Sequence, residues 1–568
     1  MKKEYVDNGT MLNVYPDSIG GNLSALIDFL KKPEMKEVFQ ALYVLPSIFN
    51  TDLDRGFSVI DYSLNELLVK KEDLNALEQL SISLKLDLVL NHVSVLSPQF
   101  QDILRHGEES VYRDFFINWN KFWQGHGEMT KDGYIQPKEE LIRNAFFRKP
   151  GLPLLMVRMP DGKNVPYWNT FYQEIRYREV DEQDLVNTIK MQFGSASVLK
   201  EIINRSLGEG KIPRQIELGR FEPFRKQITE LLETNKKYLG QMDLNIESPL
   251  VWEYYDQTLK KLSQYGAKIV RLDAFAYAAK SPGKKNFLND PETWELLSKV
   301  QNLANQYNLE LLPEIHAGYE EKIYVLLSQR GYLTYDFFLP GLILDALEQK
   351  NGAALAEWAE ELYANKIRIV NMLGCHDGIP LLDLKGMIPE KRIEDLMDTI
   401  VKRGGFVKNL YGRKVIYYQI NATYYSAVGE DDRKMLLARA IQLFMPGKAQ
   451  VWYLDFFMGK NDYEAMKYAG SGGHKEINRT NLSLEEIQGR MQREAVQKQI
   501  AMLRFRNTFP AFGFDSELQV WKEESLLRLI WSRENHWACL EADLKTCDFI
   551  ILGINEEGKK IFECRNIH

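Results

Sequence analysis

Apolar residues along the 568-residue chain gather in short unbroken runs that end on polar or charged side chains, each followed by an amphipathic, helix-like stretch. The clearest runs are Met11–Tyr15, Ala41–Leu45, Leu86–Asn91, Ile269–Asp273, Glu310–Glu314, Leu333–Phe338, Ile369–Leu373 and Ala449–Leu454. Continuous runs, as opposed to alternating ones, mark strands buried on both faces of a parallel sheet. Eight such strands are the number a closed (β/α)8 TIM barrel requires, and functional side chains of such barrels sit at the C-terminal strand ends. The predicted fold class is therefore α/β, a TIM barrel.

Two long gaps interrupt the rhythm, from Asn91 to Ile269 and from Leu373 to Ala449. Both exceed what one loop spans, so each predicts a subdomain inserted at the catalytic face, after strands 3 and 7. Val186–Leu239 reads as charged and helical, whereas β-rich runs such as Leu526–Trp531 and Phe549–Asn555 predict a small antiparallel C-terminal domain. The expected layout is barrel 1–91, inserted domain 92–247 with an extra helical segment near 175–240, barrel 248–377, second insert 378–430, barrel 431–515 and C-terminal β domain 516–568.

Composition narrows the function classes. Charged residues at 27% and hydrophobic residues at 45% are globular values. A net charge of −7 provides no basic footprint for nucleic acid. No stretch approaches the roughly 18 consecutive apolar residues of a membrane span, and the N-terminus has no apolar stretch of a signal peptide. The four cysteines, Cys375, Cys539, Cys547 and Cys564, lack metal-site spacing and a disulfide pattern, which points to a reducing cytoplasm.

Candidate chemistry lies at the strand ends. In Arg271-Leu-Asp273, alternation puts Arg271 and Asp273 on one side. A structural ion pair at a barrel rim is one reading; a carboxylate kept ionised by its guanidinium neighbour, ready to act as a nucleophile, is the other. Glu314 ends the next run, on the adjacent strand. Retaining glycosidases need two carboxyls about 5 Å apart, which strands about 4.8 Å apart supply. Asn91-His92 and His376-Asp377 follow the third and seventh runs, so two of only eight histidines fall at the same rim. Asp377 would be a third carboxylate, suited to an oxocarbenium-like transition state. No histidine spacing for a metal accompanies them.

These islands, in this order, resemble the α-amylase family, glycoside hydrolase family 13. The strings Asp54-Arg-Gly-Phe-Ser-Val-Ile-Asp-Tyr62, Arg271-Leu-Asp-Ala-Phe-Ala-Tyr277, Pro313-Glu-Ile-His316, His376-Asp-Gly-Ile379 and Glu476-Ile-Asn-Arg479 resemble its sucrose phosphorylase branch. The resemblance implies Asp273 as nucleophile, Glu314 as general acid/base and Asp377 as transition-state stabiliser. It implies a glucosyl subsite of Asp54, His92, Phe171, Gln241, Arg271, Tyr277, His376 and Arg479, with no metal and no organic cofactor. The implied partners are a small α-glucoside and inorganic phosphate, transferring glucosyl to give α-glucose 1-phosphate; a homodimer is left open. The alternatives are an α-glucoside hydrolase or transglucosidase of the same family and a catalytically inactive sugar-binding barrel.

Two features depart from that branch. Its string like Trp168-Asn-Thr-Phe171 runs almost directly into one like Gln241-Met-Asp-Leu244, whereas here a helical segment intervenes. The segment Val401–Tyr417 also differs, and is rich in Lys402, Arg403, Lys408, Arg413 and Lys414. It reads either as a solvated loop or as a phosphate-recognising one. Arg148 and Lys149 form a second basic spot, and Lys149 stands where the branch would carry Arg, a point charge in place of a two-pronged donor. Arg148, Lys149, Arg403, Lys408 and Arg413 are thus the candidate phosphate or acceptor residues.

Overall fold

The computed structural model describes residues 8–148, 151–407, 419–469 and 473–567. The eight apolar runs form the eight parallel strands of one barrel: β1 (Met11–Val14), β2 (Ala41–Val44), β3 (Ser83–Val89), β4 (Ala267–Asp273), β5 (Glu310–Pro313), β6 (Thr334–Asp336), β7 (Ile369–Asn371) and β8 (Lys448–Trp452). Their order is β5-β4-β3-β2-β1-β8-β7-β6, each neighbouring pair being parallel. The ring is nearly closed. β5 and β6 lie side by side at the seam without a hydrogen-bonded ladder.

Alternation sorts the strand side chains into two environments. Leu86, Leu88, Val270 and Leu272 face the surrounding helices and are fully buried in the main apolar core. The opposite face of the same strands carries Lys85, Asp87, Arg271 and Asp273 into the barrel axis, where they too are buried. A polar barrel interior is costly unless its groups are paired. Here Tyr43 donates to Asp87 Oδ1 (3.0 Å), and Lys85 Nζ reaches Gln450 Oε1 (2.7 Å) while lying over the Tyr43 ring.

Between β3 and β4 a strand Gln173–Arg176 pairs antiparallel with Lys237–Asp243. The helices α1 (Glu182–Ile189), α2 (Phe193–Gly208) and α3 (Arg225–Thr234) are inserted between these two strands. They bury a core of their own, including Leu185, Leu199, Ile203, Ile228 and Leu232. The helical reading of Val186–Leu239 thus ends at Thr234, since Lys237 onward is strand: its tip pairs with the chain that precedes the insert. Between β7 and β8, Ile379–Pro380 pairs with Gln419–Asn421, and a helix spans Glu390–Lys402. The chain finishes in a five-stranded antiparallel meander, β9 (Glu517–Glu523), β10 (Leu526–Arg533), β11 (His536–Asp543), β12 (Asp548–Ile554) and β13 (Lys560–Arg565). Among the described residues no helix is long and apolar enough to cross a membrane.

Candidate active site

Strand register assembles the centre of the site. Arg271 of β4 stands opposite Asp87 of β3 and Leu312 of β5. The pairing continues past the end of β5, where Glu314 N donates to Leu272 O (3.2 Å). Three carboxylates then meet one guanidinium. Arg271 Nη1 contacts both Asp87 Oδ1 and Asp273 Oδ1 (2.9 Å to the latter), and Nη2 lies 2.7 Å from Glu314 Oε1. Asp273 and Glu314 are thereby held on the two terminal nitrogens of one guanidinium.

This charge balance is uneven, and the dyad titrates as a unit. Burial, with Glu314 and Asp87 adding to it against the pull of Arg271, pushes Asp273 well above the usual carboxylate range. Glu314 is held low: burial opposes this, but Arg271 and His316 outweigh it. His316 lies with Nε2 3.7 Å from Glu314 and Nδ1 3.3 Å from Asp383. Burial disfavours its charge, yet Asp383 and Glu314 raise it to about 9, so it is an imidazolium at neutral pH. Its ring stacks on Phe337 (3.8 Å) across the β5–β6 seam.

The turn after β7 supplies a further carboxylate, Asp377. Gly378 closes it by donating to Cys375 O (3.0 Å) at φ +104°, and a Cβ there would meet Ile420 O at 2.3 Å. Only glycine suits such a position. His376 stacks on Phe57 (4.9 Å, 11°) and points Nε2 at Asp377 Oδ2 (3.2 Å). Asp377 lies well below the usual range, because His376, Lys475 and Arg479 overcome its burial. Arg479 Nη1 is 3.5 Å from Asp54 and Nη2 is 3.7 Å from Asp377. Asp54 and Arg55 both adopt left-handed φ of 49°, a strained conformation for such residues. Arg55 holds that turn down through Asp17, Glu476 and the Arg479 carbonyl, over the Tyr15 ring.

The remaining candidates form the opposite wall. Phe171 lies 4.9 Å from His92 and 5.2 Å from Tyr277, ring to ring. Arg148 lies over Phe171 and donates to Tyr277 Oη (3.0 Å). His92 and Gln241 reach the same rim, but both are engaged by one backbone group: His92 Nε2 and Gln241 Nε2 each lie 3.0 Å from Phe57 O. Burial depresses His92 to about 4, so the ring is neutral and donates there.

Asp54, His92, Phe171, Arg271, Asp273, Tyr277, Glu314, His376, Asp377 and Arg479, with Gln241 and Arg148, are thus linked in one continuous network of contacts. Arg403 is elsewhere engaged, with Glu348 (2.8 Å) and the Ala427 carbonyl (2.7 Å). Lys149, Lys408 and Arg413 lie outside the described residues. Asp87, Phe57, Asp383 and Lys475 join the network without having been singled out from sequence. Asp87 was legible as the residue that alternation places beside Arg271. The others come from loops, where no periodicity points inward.

Comparison with known proteins identifies the family. No protein-family profile matches the chain. Sucrose 6(F)-phosphate phosphorylase of Ilumatobacter coccineus is 47% identical over 558 residues, covering 97% of this chain and 96% of that protein. Sucrose phosphorylase of Streptococcus mutans is 30% identical, over 90% of each. The crystal structure of sucrose 6F-phosphate phosphorylase from Thermoanaerobacter thermosaccharolyticum superposes with a TM-score of 0.79 at 33% identity, covering 98% of both chains. An α-amylase from H. orenii shares the fold at 14% identity and a TM-score of 0.58. The chain belongs to the sucrose phosphorylase family, glycosyltransferase-type phosphorylases of the α-amylase fold.

Proposed function

We propose that this enzyme is a retaining phosphorylase that cleaves sucrose 6F-phosphate with inorganic phosphate, giving α-glucose 1-phosphate and fructose 6-phosphate. The observation that carries the mechanism is the pair Asp273 and Glu314, at adjacent strand ends and held on one guanidinium. Glu314 protonates the glycosidic oxygen as Asp273 attacks the anomeric carbon, forming a β-glucosyl-enzyme and releasing the fructosyl group. Phosphate then attacks the same carbon, giving its proton to Glu314, and retention follows from two inversions. Asp377, kept ionised by His376, Lys475 and Arg479, stabilises the positive charge on the ring carbon and oxygen.

For that chemistry the one proton of the coupled dyad must sit on Glu314 with Asp273 ionised, so any exchange of the proton between the two carboxyls precedes attack. The ionised Asp273 stays on Arg271 and becomes the nucleophile. His316, cationic beside Glu314, offers charge to phosphate as it arrives. The choice of a phosphorylated donor is supported by the relatives at 47% and 33% identity, both sucrose 6(F)-phosphate phosphorylases.

The test is phosphorolysis of sucrose 6F-phosphate and of sucrose, monitored as glucose 1-phosphate. Higher kcat/KM for the phosphorylated donor is expected. Preference for sucrose would refute the donor assignment, and free glucose as the main product would refute phosphorolysis in favour of hydrolysis.

A further inference from the structure

Lys475 lies on the 3-10 turn Gly473–Asn478. Its ammonium is 2.6 Å from Asp377 Oδ1 and 3.6 Å from Asp54 Oδ2. The two carboxylates belong to different loops, after β7 and after β2, and Arg479 touches both from a buried position. Two anions and two cations therefore alternate around a closed circuit. Arg479 is its floor, with a side chain 1% exposed, while Lys475 at 28% is its open side.

Arg479 alone is poorly placed to serve both acids. It also carries Glu476 (3.3 Å), which in turn is shared with Arg55. Asp54 and Asp377 repel one another, yet Asp54 is held below its usual range: burial opposes this, and Lys475 followed by Arg479 overcomes it. Among the described residues, the buried atoms His376 Nδ1 and Arg479 Nη2, both bordering the circuit, make no hydrogen bond, and Arg479 Nη2 has only the long 3.7 Å contact with Asp377. Buried donors and acceptors left unused by the protein point towards a polar ligand. A hydroxylated ring supplies hydroxyls that both donate and accept.

We propose that Lys475 is a positioning residue of the glucosyl subsite, bridging Asp54 and Asp377 so that both carboxylates remain ionised and correctly spaced for adjacent hydroxyls of the donor. This rests on the glucosyl-transfer reading above. As the donor enters, its hydroxyls take over part of the hydrogen bonding that the ammonium supplies, and the positive charge stays beside Asp377. The group acts through the two carboxylates and not on the anomeric carbon.

The test uses the full-length enzyme with α-glucosyl fluoride and inorganic phosphate, a donor whose leaving group makes no acceptor-site contacts. Lys475→Met is expected to lower kcat/KM by about 10- to 100-fold, as loss of charged hydrogen bonding does. Removing the cation raises the carboxylate pKa values, so the acid limb of kcat/KM should move up by about one pH unit. Lys475→Arg, which keeps the charge, should recover most of the activity and return the limb. Lys475→Met should melt a few degrees below the parent at neutral pH, since raising two native carboxylate pKa values lowers stability by linkage, whereas Lys475→Arg should melt with the parent.

Unchanged kcat/KM and acid limb in Lys475→Met would overturn the proposal. So would equal losses in both variants accompanied by lowered melting, since that pattern is purely structural. A parent enzyme that leaves α-glucosyl fluoride intact would instead overturn the glucosyl-transfer reading, and this inference with it.

Discussion

Two buried cations hold the catalytic end of this barrel together, and their surroundings could hardly differ more. Lys280 has one acidic partner, Asp243, at 2.8 Å, and fills its other bonds with Asn91 Oδ1 (2.9 Å) and the Tyr277 carbonyl (2.6 Å). The Asp243 oxygens are in turn satisfied by Thr170 N, Thr170 Oγ1 and Asn91 Nδ2. Arg271 faces three carboxylates at once. A balanced, fully bonded pair joins the insert after β3 to the turn after β4. At the other centre three carboxylates share one guanidinium. Surplus like charge is tolerated where chemistry needs it and is absent where the job is to hold loops together.

Changes at the two centres should separate activity from stability. Asp273→Asn is expected to cut glucose 1-phosphate formation by about 10⁴-fold or more, while melting stays level or rises because one excess buried carboxylate is neutralised. Turnover close to the parent would show that Asp273 is not the nucleophile. Lys280→Met should do the reverse, costing about 3–5 kcal/mol in denaturant unfolding by stranding Asp243. A fully stable Lys280→Met enzyme would erase the distinction.

A smaller effect should appear with pH. The folded protein raises His316 to about 9 from 6.5, so its stabilisation is complete below about 6.5 and is lost as pH rises through about 9. Asp383→Asn should therefore destabilise the enzyme by about 2 kcal/mol near pH 6, with the gap to the parent closing towards pH 9.5. A gap independent of pH would detach His316 from that role. Smallest of all, Arg403→Met should leave KM for phosphate within about twofold and cost about 1 kcal/mol of stability through Glu348. A large rise in that KM would return Arg403 to the acceptor site.

Periodicity carried much of this architecture. Each of the eight apolar runs became a barrel strand, because a strand buried on both faces must be apolar along its length or pair its polar groups inside the barrel. The same regularity put Arg271, Asp273 and Glu314 at neighbouring rungs. Loop-borne partners were harder to read. Phe57 uses its carbonyl to engage His92 and Gln241, and its ring to support His376. Nothing in the local pattern around Phe57 distinguishes it from an ordinary core phenylalanine. Lys475, beside the string that ends in Arg479, looked like any surface lysine.

The sequence by itself determined the barrel and the neighbouring strand ends on which Arg271, Asp273 and Glu314 stand, since alternation and strand adjacency are local rules acting on residue identity. Tertiary structure alone decided which cation serves which acid. Lys475 meets Asp54, and Arg148 meets Tyr277, across long stretches of chain. Such pairings depend on where loops from different strands converge, and on burial that makes each unpaired charge costly enough to select a partner.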